Sequence, residues 1–155
     1  MIPRSAALFV LALGAALLTA SPADVEVRIC LSLEEATGQA GRPVLLVFFS
    51  TECPSCYDDL FEARYLVEKA GFDVTVIGVF SGPRDRLRAF LEKFAWTLPV
   101  VLDRRKALFR KFRVDMVPYK ALLSGGEAVY RDDPYKDYGR RREDLERCLK
   151  KMFSR

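Results

Sequence analysis

The chain contains no histidine among its 155 residues. Without imidazole, a zinc or copper site would have to be assembled from cysteines and carboxylates alone. The four cysteines include one close pair, Cys53 and Cys56, and no second one. No metal centre and no cofactor is therefore expected. Internal repeats and low-complexity tracts are also missing, so the length fits one domain. No stretch interleaves aromatic with basic residues in a way that favours RNA or DNA, and nucleic acid is not an expected partner. Neither sign of charge dominates, with 25 basic against 21 acidic residues. The basic residues near the C-terminus, among them Arg140, Arg141, Arg142, Arg147, Lys150 and Lys151, are interleaved with Glu143, Asp144 and Glu146. That pattern reads as a solvated helix face.

Half of the residues are hydrophobic and 30% are charged, enough apolar material for one proper core. Part of it is set apart at the start. Arg4 precedes an almost unbroken apolar run from Ala6 to Ala20, and Ser21, Pro22 and Ala23 offer small residues before Asp24. This is the pattern of a secretory leader over residues 1–23, with the folded domain over 24–155. The run is short for a membrane span, although an uncleaved anchor would also fit it. A membrane is a partner only in that anchored case. Val27-Arg28-Ile29 before Cys30 lacks the leucine of a lipobox. An extracytoplasmic location, periplasmic or secreted, is the expectation, and thiols there tend to pair.

Residues Val25 to Leu31 alternate, which places Cys30 on the polar side of an entering strand. Ser32 to Gly38 fits a short helix, with Ser32 as cap and Glu35 completing a capping box. Val44 to Phe49 is a continuous apolar run of strand length, expected at the centre of a sheet covered on both faces. Pro54 to Ala70 reads as a helix with Leu60, Ala63, Leu66 and Ala70 at helical spacing. Val74 to Phe80 is a second buried strand. A helix entered at Pro83 follows, with Leu87, Phe90, Leu91 and Phe94 as its apolar stripe. A short strand at Pro99 to Leu102 and a short helix at Arg105 to Phe112 come next. Tyr119 to Leu123 and Ala128 to Arg131 flank Gly125-Gly126 as a hairpin. Leu145, Cys148, Leu149 and Met152 line a last helix. The alternation implies an α/β fold whose sheet carries parallel strands, helices on both faces and an antiparallel hairpin at its end.

The chemistry lies in Ser50-Thr51-Glu52-Cys53-Pro54-Ser55-Cys56, between a buried strand and a helix. The first turn of a helix has unpaired N–H groups and the positive end of the macrodipole, both of which favour a thiolate at Cys53. Two intervening residues let Cys56 return to attack a mixed disulfide on Cys53. Thiol–disulfide exchange needs such a pair, one exposed nucleophile and one sheltered resolver. The same spacing could instead be a fixed structural disulfide in a non-catalytic binding module. A peroxidatic reading is weaker, because Leu46 stands where that motif expects proline.

Val114-Asp115-Met116-Val117-Pro118-Tyr119 leads into the hairpin, and here the chain resembles the thioredoxin superfamily. The stretches PVLLVFFSTECPSC, RLRAFLEKFAWTLPVVLD and FRVDMVPYKALLSGGEAVYR resemble its TlpA/ResA-like branch, the cytochrome c maturation type, over about Ser32 to Arg131. The resemblance implies a thioredoxin-like fold and an extracytoplasmic thiol–disulfide oxidoreductase. It also implies a cis peptide bond before Pro118 facing the cysteines, and a substrate groove at Val117, Pro118 and Tyr119. Disulfide-bearing proteins would be the substrates and a membrane thiol transporter the electron donor. Several positions depart from the branch. Glu52 replaces the usual Trp, Val47 occupies the place of the buried acid of plain thioredoxin, Tyr119 replaces Thr, and Asp59 stands where the branch often has Glu. Asp59 reads either as a surface acid near the helix N-terminus or, with Glu52, as a tuner of the Cys53 pKa. The negative charge of Glu52 beside Cys53 disfavours the thiolate and points to a reductant. Cys148 is expected as a buried free thiol, with a Cys30–Cys148 disulfide as the alternative.

Overall fold

The computed structural model describes residues 28–38 and 41–154. The leader reading and the first part of the entering strand fall outside them. Among the described residues, no helix is long and apolar enough to cross a membrane.

Among the described residues eleven elements follow the expected order: β1 (Ile29–Cys30), α1 (Leu33–Thr37), β2 (Val44–Phe49), α2 (Pro54–Glu68), β3 (Thr75–Phe80), α3 (Arg84–Lys93), β4 (Val100–Leu102), α4 (Ala107–Phe112), β5 (Tyr119–Ser124), β6 (Glu127–Arg131) and α5 (Tyr138–Phe153). They build one six-stranded sheet in the order β1-β4-β3-β2-β5-β6. β1, β4, β3 and β2 run parallel to one another, and β5 is antiparallel to both of its neighbours, β2 and β6. Together these make the thioredoxin-like α/β arrangement, a mixed sheet with helices on both faces and a closing hairpin plus helix.

β2 shows why the sheet is double-sided. All six of its residues are buried. Leu45, Val47 and Phe49 point toward α2, α3 and α5, where they meet Leu60, Ala63, Leu91, Leu145 and Leu149. Val44, Leu46 and Phe48 point the other way, toward α1 and α4, where Ala36 and Phe112 close the second core. Strand alternation makes these two faces, and each fully buried large apolar side chain contributes about 1.5–3 kcal/mol.

Local signals explain the ends of several elements. Ser32 Oγ accepts from the Glu35 N–H, and Glu35 reaches back to accept from the Leu31 N–H at 2.7 Å, one residue earlier than a capping box requires. Gly125 and Gly126 take φ of 59° and 87°, as a two-residue turn with positive φ at both positions demands. Asp103 accepts from the backbone N–H groups of Ala107, Leu108 and Phe109 and so caps α4. Lys106 and Arg113, at the two ends of α4, adopt left-handed backbone that glycine would enter more easily.

Cys30 does not face the polar side. It is fully buried on the α1/α4 face, and Leu31 is the exposed residue at 65%. The alternation misled because the sheet is covered on both faces and β1 ends at Cys30, leaving Leu31 in the turn to α1. Cys148 packs against the opposite core, on the α2/α5 face, and is half-buried rather than buried. With the sheet between them, Cys30 and Cys148 do not bond, and both are free thiols. Burial pushes both thiol pKa values up.

Candidate active site

β2 ends at Phe49, and the chain turns sharply into α2. The Cys53 N–H donates to Ser50 O at 3.3 Å, and the Glu52 N–H to Ser50 Oγ at 3.2 Å. Tyr57 Oη donates to Thr51 O at 2.8 Å and pins the loop from the helix side. Cys53 is the N-cap residue of α2, and Pro54 takes the first helical position, where its missing N–H costs no hydrogen bond. Cys53 and Cys56 form a disulfide. Cys53 is half-buried and Cys56 fully buried, the asymmetry that a nucleophile and a resolver require. Ser55 Oγ lies 3.4 Å from Cys53 Sγ, close enough to donate to it.

The Val117–Pro118 peptide bond is cis. It brings the Val117 carbonyl within 3.9 Å of Cys53 Sγ, so a loop 64 residues later in the chain faces the cysteine pair. Val117 is half-buried and Pro118 buried. Tyr119 is not part of that opening. It is 7% exposed and packs edge-on against Phe48 with ring centroids 5.9 Å apart, in the core beneath α4. Strand alternation explains this, since Tyr119 and Lys120 point to opposite faces.

Glu52 is exposed and forms an ion pair with Arg86 of α3. Its charge beside Cys53 is therefore shared with a guanidinium, which weakens the argument that it disfavours the thiolate.

Asp59 is not a surface acid. It is completely buried, as are Lys120 and, within a few per cent, Glu62, Asp132 and Arg141. Lys120 Nζ donates to Asp59 Oδ1 at 2.7 Å and to Glu62 Oε2 at 3.0 Å. Arg141 Nη2 donates to Asp59 Oδ2 at 2.8 Å and to the Pro118 carbonyl at 3.1 Å, and Arg141 Nε donates to Asp132 Oδ2 at 3.0 Å. Burial alone would lower the Arg141 pKa, but the Asp132 and Asp59 carboxylates outweigh it and push it further up. Tyr130 Oη donates to Asp132 Oδ1 at 2.9 Å, and burial together with that carboxylate raises the Tyr130 pKa well above the usual phenol range. Arg142 stands 3.3 Å from Glu62 Oε1, off the direction of a hydrogen bond.

Sequence reasoning missed Glu62, Lys120, Asp132 and Arg141, and placed Arg141 on a solvated face. Two signals were present. Lys120 interrupts the apolar strand Tyr119–Leu123, and Asp59 and Glu62 fall on the same stripe of α2 as Ala63 and Leu66. The rest of the α5 reading matches the structure, with exposed pairs Arg140–Asp137, Arg142–Glu146, Arg147–Asp144 and Lys150–Glu146. Among the described residues, no group of histidine, cysteine and acidic side chains is arranged to hold a metal ion.

Residues 24–124 match the AhpC/TSA family. The thiol–disulfide oxidoreductase ResA of Geobacillus thermodenitrificans is 27% identical over 90 residues, covering 56% of this chain. The chain spans about half, 51%, of that curated relative's length. StoA of Bacillus subtilis superposes with a TM-score of 0.57 at 20% identity, covering 72% of this chain and 84% of StoA. The exposed lipoprotein thioredoxin of Streptococcus pneumoniae superposes with a TM-score of 0.60 at 21% identity, covering 72% of this chain and 85% of that one. These two likenesses speak to the fold.

Proposed function

Since the chain belongs to the AhpC/TSA family, we propose that it is an extracytoplasmic thiol–disulfide oxidoreductase that reduces protein disulfides through Cys53 and Cys56. The observation that carries this reading is the half-buried Cys53 at the N-terminus of α2, bonded to a fully buried Cys56 and faced by the Val117 carbonyl. The similarity to ResA, a thiol–disulfide oxidoreductase, points the same way.

In the reduced protein, the Cys53 thiolate attacks one sulfur of a substrate disulfide. A mixed disulfide forms, and the first substrate sulfur leaves as a thiolate that takes a proton from water. Cys56, deprotonated in turn, attacks Cys53 Sγ. The Cys53–Cys56 disulfide re-forms, and the second substrate sulfur leaves as a thiol. Two electrons and two protons pass to the substrate. A dithiol donor, in this reading a membrane thiol transporter, restores the reduced state by the reverse exchange. The helix N-terminus stabilises the attacking thiolate. The half-buried Val117 offers backbone groups to an extended substrate segment, as in β-strand addition. Haem-attachment cysteines of an apocytochrome, or the thiols of metal-delivery proteins, are substrates of the right chemistry.

Insulin reduction with wild type and Cys53→Ser tests the activity, and redox titration against dithiothreitol or glutathione tests the direction. Activity lost in Cys53→Ser, with a potential well below that of the strong oxidant DsbA at about −120 mV, is expected. An inert wild type would leave the pair as a fixed disulfide, and a potential near −120 mV would make the protein a disulfide donor. Rapid peroxide consumption would favour the peroxidatic alternative.

A further inference from the structure

Beside the redox pair lies a cleft of about 530 Å³ whose wall is formed by α4 and the loop before Pro118. Val117 belongs both to this cleft and to the contact with Cys53 Sγ, so the cleft adjoins the redox pair through that residue. Phe109 and Met116 supply apolar surface, and Lys106, Arg110 and Arg113 supply charge. Asp115 is the acidic residue among the lining side chains.

These cations are clustered. Residues 104–113 hold six basic side chains and no acidic one. Among the described residues none of the six takes part in an ion pair, whereas four exposed cations of α5, Arg140, Arg142, Arg147 and Lys150, are paired. Unpaired like charges held this close repel one another, so the segment carries a net positive local field that Asp103 and Asp115 offset only in part. Lys106 and Arg113 hold the two left-handed positions at the ends of α4, where glycine would be easier to accommodate. Strained backbone of this kind gathers at functional sites. Here it keeps a cation at each end of the cleft wall.

We propose that the cleft selects the substrate: it takes an extended protein segment that carries Asp or Glu within a few residues of its reacting cysteine. This rests on the exchange activity proposed above and adds the charge of the partner. The acidic side chains meet Lys106, Arg110 and Arg113, a neighbouring apolar side chain lies on Phe109 and Met116, and the cysteine reaches Cys53. Steering of this kind acts on the encounter rate and is screened by salt.

The test measures second-order rate constants of the reduced full chain with three peptide disulfides, identical except for Glu, Gln or Lys flanking the cysteine. At low salt the Glu peptide should react about tenfold faster than the Gln peptide, and the Lys peptide more slowly than either. In about 1 M salt, where the screening length is about 3 Å, the ratio should fall toward one. The Glu-to-Gln ratio is read within each variant, which cancels any change in thiol reactivity. It should invert in Arg110→Glu/Arg113→Glu and fall in Arg113→Gly, a change that relieves the left-handed backbone and so spares the fold. Equal rates with all three peptides would overturn the substrate class while leaving the exchange activity standing. Failure to react with any of them would overturn both. Unchanged ratios in the variants, with binding to anionic phospholipid vesicles lost instead, would assign the basic segment to a membrane surface.

Discussion

Lys120 is the residue whose loss should cost the fold most per atom removed. Three buried carboxylates, Asp59, Glu62 and Asp132, face two buried cations, Lys120 and Arg141, with Arg142 at the rim beside Glu62. Lys120→Met keeps most of the apolar stem and deletes the ammonium. Asp59 is then left with Arg141, and Glu62 with the half-exposed Arg142. Removing one partner of a buried pair costs about 3–5 kcal/mol, because the surviving charge is uncompensated. Against a total stability of about 5–15 kcal/mol, that is a large share. It corresponds to a fall in Tm of about 10–20 °C for a domain of this size. The double variant Asp59→Leu/Lys120→Met leaves two one-to-one pairs, Glu62–Arg142 and Asp132–Arg141, and fills the space with apolar groups. Replacing a buried ion pair in this way is often close to neutral, so the double variant should regain about 2 kcal/mol or more over Lys120→Met. Urea unfolding of wild type, both single variants and the double variant, followed by far-ultraviolet circular dichroism, gives the cycle. A Lys120→Met protein within about 1 kcal/mol of wild type would refute the reasoning. So would a double variant as unstable as the sum of the singles, since the two residues would then not be coupled.

Substoichiometric iodoacetamide on the reduced protein should label Cys53 before Cys56, as their exposures differ, and mass spectrometry that finds Cys56 labelled first would reverse the roles. Glu52→Gln should raise the reduction potential by less than about 30 mV, which is about 1.4 kcal/mol, because Arg86 already shares the charge of an exposed Glu52; redox titration reads it. Asp103→Ala removes the acceptor for three N–H groups and should cost about 1–2 kcal/mol in chemical denaturation, with the basic wall of the cleft loosened. Tyr130 is held neutral, so its contribution to stability is fully present below about pH 10, the unfolded phenol value, and declines as pH rises above it. Spectrophotometric titration should show one tyrosine ionising only as the fold is lost, and in Tyr130→Phe that late step should be absent.

Much of the fold was legible because its elements speak through patterns that tertiary structure does not override. The apolar run Val44–Phe49 can only be a strand buried on both faces, and Gly125-Gly126 between two alternating segments can only be a tight turn. The cysteine pair was equally legible, since a strand, a two-residue spacer and a proline-started helix are all local. What sequence concealed was the charge inside. Asp59, Glu62, Lys120, Asp132 and Arg141 come from four separate parts of the chain, and only their partners, distant in sequence, show that they form one cluster. Cys30 was misplaced for a related reason. A two-residue edge strand has too few positions for alternation to say which face is which.

The place of the buried acid shows how the site is held. Val47 on β2 is apolar and fully buried, and Asp59 on α2 is a fully buried acid. Both of its oxygens accept hydrogen bonds from cations of other elements, Lys120 on β5 and Arg141 on α5. Arg141 also donates to the carbonyl of Pro118, the residue next to the one that faces Cys53. The helix that carries the cysteines and the loop that faces them are thus tied to the same guanidinium. Displacing either relative to the other would strip a hydrogen bond from a buried charge, and such a bond is costly to leave unmade. An ionic cluster that adds little net stability over an apolar core can still fix geometry, which exchange chemistry needs between Cys53 and an incoming sulfur. The charge that fixes the site is therefore buried and paired, and the charge proposed to choose its partner, on Lys106, Arg110 and Arg113, is exposed and unpaired.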